Sequence, residues 1–210
     1  MYQEQLDALT AFATGDPFKD ALLEARKDYF SRTGEVFEDD KSFEMRMASF
    51  LDYYLFDRPV RGGRTPAQLY LARDGASEGE RTVARGLSLT VHSLFEVRKL
   101  APDLVRLRDC FTDRDCDVFE RRHPAGLGKG DLLEARLIPV DGKLLFSHAF
   151  CFHPVEVKKA VLREIQRRRK ADPAFDRRDF IWALSRMRLK FERYRNIAVE
   201  DIYAFDRRTI

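Results

Sequence analysis

Long apolar runs are missing from this sequence. No stretch of about 18 apolar residues occurs in its 210 positions, so no membrane-spanning helix is expected. Cysteine is scarce and odd in number, at three, which argues against a disulfide framework and fits a reducing cytoplasm. The first residues, MYQEQLDALTAF, carry acids and no basic region ahead of an apolar core, so no signal peptide is expected. A strong excess of one charge is absent too, with 38 Lys and Arg against 35 Asp and Glu. Internal repeats, low-complexity segments and a paired C-x2-C are also lacking. The four histidines, His92, His123, His148 and His153, sit singly on predicted strands or loops, so no nucleophile–base signature can be read.

What is present is a core-forming composition. Hydrophobic residues make up 44% of the chain, with 17 Phe, which excludes wholesale disorder. The charge is also unevenly spread. Residues 155–210 hold 16 basic and 9 acidic side chains, whereas the first 154 hold 22 and 26. A basic C-terminal region either binds a polyanion or attracts the acidic remainder of its own chain.

The centre of the chain alternates. In LSLTVHSLFEVRKL, Leu89, Val91, Ser93, Phe95 and Val97 share one face while Thr90, His92, Glu96 and Arg98 share the other, with Leu94 out of pattern. Further strands are predicted over 104–111, 117–121, 132–140 and 143–153. Asp141-Gly142 is a two-residue hairpin turn between the last two, because both residues accept positive φ. Five short strands suit a curled antiparallel sheet or a small barrel, of OB or SH3 kind, that removes exposed edges.

Helical sequence flanks this module. Residues 2–14 form one predicted helix, and Asp16-Pro17 opens another that Gly34 stops. Phe43, Met47, Phe50, Leu51, Tyr54 and Leu55 form a helical stripe, read as core rather than as a stacking surface. RPVRGGR reads as a solvated connector. Thr65-Pro66 opens a short helix and Ser77 with Glu80 is a capping box for the next. After His153-Pro154 come a helix ending in RRRK and a longer one from Asp176 to Arg195. The α+β expectation is thus a helical region over 1–86, an antiparallel β module over 87–153 and a basic helical region over 154–210, packed as one compact unit.

Chemistry is thinly signalled. Cys110 and Cys116 bracket a predicted turn, and Cys151 and His153, two apart on a strand, share a face; together they offer a zinc donor set. The spacing matches no established finger, so no metal is expected and the three are read as ordinary half-buried cysteines. AGLGKGD lacks the phosphate-loop spacing and precedes a strand, so it reads as a loop. No cofactor and no catalytic residue is expected. The favoured role is non-catalytic binding of a protein partner through exposed aromatics or sheet edges. The alternative is nucleic-acid binding through Arg167, Arg168, Arg169, Arg186, Lys190 and Arg193, against which stands the interleaving of acids among them.

The segments FLDYYLFDRP, GRTPAQLYL, SEGERTVARGLSLTVHSLFEV and GDLLEARLIPVDGKLLFS resemble a set of uncharacterised bacterial proteins. Some of these carry SEC-C-type metal-binding tails elsewhere. The resemblance spans about residues 50–153, implies a bacterial cytoplasmic protein and brings no activity or site residue with it. The SEC-C cysteine pattern is missing, so it implies no zinc.

Overall fold

The computed structural model describes residues 2–75, 78–120 and 126–205. Five helices come first: α1 (Tyr2–Thr14), α2 (Lys19–Thr33), α3 (Phe43–Phe56), α4 (Pro66–Leu71) and α5 (Glu78–Leu87). Five strands follow: β1 (Val91–Ala101), β2 (Leu104–Asp109), β3 (Asp115–Phe119), β4 (Leu132–Val140) and β5 (Lys143–His153). Three helices close the described chain: α6 (Lys158–Ala171), α7 (Arg177–Arg193) and α8 (Val199–Ile202).

Local chemistry sets most of the helix ends. Gly34 stops α2 at φ 95°, a conformation costly for any residue with a Cβ, while its N–H donates to Phe30 O at 2.9 Å. The carbonyls left over at that helix end are taken up by buried Arg46, whose Nη2 donates to Thr33 O at 2.7 Å and Gly34 O at 3.2 Å. Thr65 and Gln68 close a reciprocal capping box on α4, and Asp176 accepts from Arg178 N at 2.8 Å at the start of α7. The Asp16 cap is corrected: Gly15 holds the cap position and Asp16 begins a 3-10 turn, Asp16–Phe18, that leads into α2. The Ser77 cap lies outside the described residues.

The strands form a closed barrel in the order β1-β2-β3-β5-β4, with β4 returning to β1. The sheet is mixed, which corrects the purely antiparallel expectation: β3 and β5 pair in parallel at Val118↔Leu144. After β3 the chain crosses to lay β4 against β1, and the β4–β5 hairpin then returns β5 into the gap beside β3, where it must run parallel. This is the strand order of OB-type barrels, which fixes topology and leaves function open. Asp141 and Gly142 adopt φ 48° and 73°, as the two-residue turn demands.

Phe95, Val97, Val105, Leu107, Val118, Leu133, Ala135, Leu137 and Phe146 fill the barrel. Helices then cover part of its outside: α3 lies on β5, α5 on β4 and α7 on β1. Leu94 broke the alternation because its outer face is also buried, among Phe180, Ile181 and Leu184 of α7. Trp182 and Leu189 of α7 reach the core made by the N-terminal helices, so the two ends of the chain share packing. No helix among the described residues is long and apolar enough to cross a membrane.

Candidate functional site

Where helices lie on the outside of a barrel, the outward positions of its strands are buried even when they are polar. β1, β4 and β5 place His92, Glu134, Arg136, Cys151 and His153 on this covered surface. A buried polar group needs a partner, and the hydrogen bonds here form two sets.

In the first, Arg136 is 2% exposed and makes a two-pronged ion pair with Asp57 at the end of α3. Its Nη1 also donates to Thr90 Oγ1 at 2.8 Å, and its Nε stands 3.6 Å from Asp52 Oδ2. Burial raises the Asp52 carboxyl above its ordinary range, against the pull of Arg136.

In the second set, Glu134 is 3% exposed and accepts from His92 Nε2 at 3.0 Å and from Ser185 Oγ at 2.6 Å. Burial pushes the Glu134 carboxyl up, but the bonds from His92 and Ser185 outweigh it and hold the group below its usual range, as an anion. Serine, histidine and carboxylate are all present, yet the carboxylate sits in the middle. A nucleophilic triad needs the imidazole between the hydroxyl and the acid, so this order does not activate Ser185. Beside the two sets, among Tyr29, Asp52, His92, Glu134, Arg136 and Trp182, the open space is about 10 Å³, room for one water and no substrate.

Glu134 also meets β5. Cys151 lies directly across from it in the β4–β5 register, and His153 follows two residues on, on the same face. The ligand-capable atoms of Glu134, Cys151 and His153 all lie within 4.8 Å of one another. Burial pushes the Cys151 thiol up to about 12, with the Glu134 anion adding to it, and lowers His153 to about 4. At neutral pH the pair is a thiol and a neutral imidazole. Of the four residues weighed for zinc in the sequence, the structure brings two together. Cys151 and His153 converge with Glu134, whereas Cys110 packs against the helix-side core, Cys116 lies on β3, and neither joins the group. All three cysteines are free thiols.

A groove opens on the surface between β5, α3 and α7. Its volume is about 550 Å³, and Met45, Phe150, Phe152 and Phe191 line it with Lys41, Arg188, Arg195 and Glu192. Arg188 Nε donates to Phe152 O at 2.9 Å, and Glu192 accepts from Ser42 N at 3.0 Å, so these two of the four charged groups are fixed in place. Among the described residues β5 pairs with β3 only at Val118↔Leu144, so β4 is the one strand that pairs with the Phe150–Phe152 stretch.

The basic side chains singled out from sequence are mostly bound to their own chain. Arg167 and Arg168 both bond Glu164, at 2.7 Å, and Arg169 pairs with Asp113 at 2.7 Å. Arg193 clasps Asp40 and donates to Glu35 O at 2.8 Å, while Arg186 donates to Ser31 O at 3.1 Å. Lys190 lines a shallow groove of about 360 Å³ with Arg32, Asp179, Trp182 and Arg186. The outer face of β2 and β3 is equally self-paired, through Arg106–Asp117 at 2.7 Å and Arg108–Asp115 at 2.8 Å. The basic C-terminal region thus closes contacts with Glu164 of its own helix and with acids and carbonyls from the rest of the chain.

Sequence reading missed Glu134, Arg136, Asp52 and Asp57, which look like solvent-facing charges until the covering helices are known. The groove was missed too, because its aromatics come from β5 and α7, far apart in the chain. Of the histidines, His148 pairs with Gln3 at 3.0 Å on the surface, and His123 lies outside the described residues. The model of a family of unknown function, DUF7986, matches residues 20–186. No curated protein and no solved structure matches the chain.

Proposed function

We propose, from the premise that the chain belongs to this family of unknown function, that it is a non-catalytic binding protein that docks a short segment of a protein partner. The groove between β5, α3 and α7 carries the reading. Its volume lies within the range of ligand sites, and its floor offers three phenylalanines and a methionine to an apolar anchor. Arg188, Arg195 and Lys41 outnumber Glu192 at its edge, so the complementary segment is an aromatic or aliphatic anchor flanked by acidic residues. The alternative, nucleic-acid binding, would need Arg167, Arg168, Arg169 and Arg193 to leave the partners they already have.

A peptide array of random 12-mers probed with the purified chain tests this. Enrichment of an apolar anchor next to Asp or Glu is expected, with Phe191→Ala weakening the selected peptide by about 30-fold as a central apolar contact. Arg195→Glu, which removes no apolar contact, should weaken it by about tenfold and more at low salt. Labelled single-stranded and duplex oligonucleotides form the opposing arm. Steeply salt-dependent binding to them, lost in Lys190→Glu and unaffected by Phe191→Ala, would overturn the protein-partner reading in favour of nucleic acid.

A further inference from the structure

We propose that Glu134, Cys151 and His153 form a binding site for one zinc-class divalent cation, built into the covered outer face of the barrel. The inference is independent of the groove. It rests on the convergence of three chemically different donors and on an atom with nothing to bond. The carboxylate, thiol and imidazole atoms lie within 4.8 Å of one another. Bond lengths of about 2.0–2.3 Å in a tetrahedral zinc site set ligand atoms roughly 3.3–3.8 Å apart, so closure asks for a movement of about an ångström or less per side chain. His153 is 6% exposed and its Nε2 has no hydrogen-bond partner, although buried imidazole nitrogens are rarely left so.

Tyr203 explains how that nitrogen is readied. His153 Nδ1 and the Tyr203 hydroxyl oxygen are 3.0 Å apart. When Nδ1–H donates to the hydroxyl, Nε2 carries a bare lone pair and the ring orientation is fixed, which is the usual role of an outer hydrogen bond on a metal-ligating histidine.

Charge and protons balance. A carboxylate and an imidazole ligate through lone pairs they already carry, whereas a thiol does so only after losing its proton. Cys151 is the one group that must change. A bound divalent cation displaces the thiol proton to solvent, a metal–sulfur bond replaces the S–H bond, and the buried group passes from a net charge of −1 to zero. Placing a cation against the buried Glu134 carboxylate, which His92 and Ser185 hold in position, favours that exchange. A thiolate, an imidazole and a carboxylate together select zinc over magnesium or calcium, which take oxygen donors. Three protein ligands leave a fourth position for water.

The test uses the full chain, unfolded and refolded in buffer with zinc chloride so that a buried site can load, then desalted and assayed for zinc by mass spectrometry. About one equivalent is expected for the parent chain and for Cys110→Ser and Cys116→Ser. Cys151→Ala and His153→Ala should fall below about one tenth of an equivalent, and Tyr203→Phe should keep its ion with roughly 10- to 100-fold weaker affinity. Refolding with cobalt(II) gives a readout that needs no variant, since a thiolate ligand adds an intense near-ultraviolet sulfur-to-metal band. Zinc below one tenth of an equivalent in the parent chain, full zinc in Cys151→Ala, or a cobalt spectrum without the thiolate band would each overturn the site.

Discussion

Gly86→Ala should be among the most destabilising single-methyl additions in this protein. A Cβ built on Gly86 would stand 1.9 Å from the carbonyl oxygen of Pro139 and 3.1 Å from its carbon. Both obstacles are β4 backbone, so no side chain can turn aside. The helix must back away from the barrel, loosening Val83, Ala84 and Leu87 from Ile138 and Val140 in the shared core. Overpacking a close contact costs about 1–3 kcal/mol and sometimes more; with backbone as the obstacle, about 3 kcal/mol is expected. In a chain of this size that lowers the melting temperature by roughly 6–12 °C. Gly79→Ala on the same helix is the control. Nothing lies within 4 Å of its added Cβ, and the helix gains about 0.5–1 kcal/mol from the lost glycine flexibility. Urea midpoints measure both. A cost below about 0.5 kcal/mol for Gly86→Ala, the size of an ordinary surface change, would mean that α5 does not sit this close to β4.

The contrast between these glycines locates what a sequence can tell. Gly34 was readable because a helix ends there at positive φ, although Leu189 of α7 also comes within 2.9 Å of where a Cβ would stand. The β4–β5 hairpin was readable for the same reason, since Asp141-Gly142 announces the turn and the alternation on either side marks the strands. Gly86 fits because another strand comes close, and neither its neighbours nor its type records that approach. The parallel β3–β5 pair was hidden likewise, as it depends on where β5 returns after β4 has closed on β1.

The candidate metal site was half legible. Cys151 and His153 declare a common face by being two apart, but Glu134 needs the register. An unbroken hairpin continuing from Val140↔Lys143 would set Ala149 opposite Glu134. The irregularity between Ala135 and Leu137 lets in two extra β5 residues and brings Cys151 there instead. Cys110 and Cys116 do not join them, because closeness along a turn is not convergence of side chains.

Arg136→Met should cost about 3 kcal/mol near pH 8, the low end of the penalty for a broken buried pair, because the Asp52 and Asp57 carboxylates it strands are partly exposed. Met keeps most of the volume over Phe56 and removes the charge that Asp57 and Asp52 face. Its effect should also depend on pH in a definite direction. Burial already lifts the Asp52 carboxyl above its unfolded range, and Arg136 opposes that lift. Without Arg136 the folded-state value climbs further. A carboxyl whose folded value is raised binds protons more readily when folded, so its contribution favours folding at low pH. That contribution is lost as pH rises from the ordinary carboxylate range through the raised value. The difference between parent and Arg136→Met should therefore be largest at pH 8 and shrink toward pH 5, and Asp52→Asn in the variant background should recover part of the loss at pH 8. Arg136→Lys keeps the charge but not the two-pronged contact with Asp57, and should fall between the two. Urea unfolding at both pH values decides it. An equal cost at pH 5 and pH 8 would mean that the loss comes from packing over Phe56 and not from stranded carboxylates.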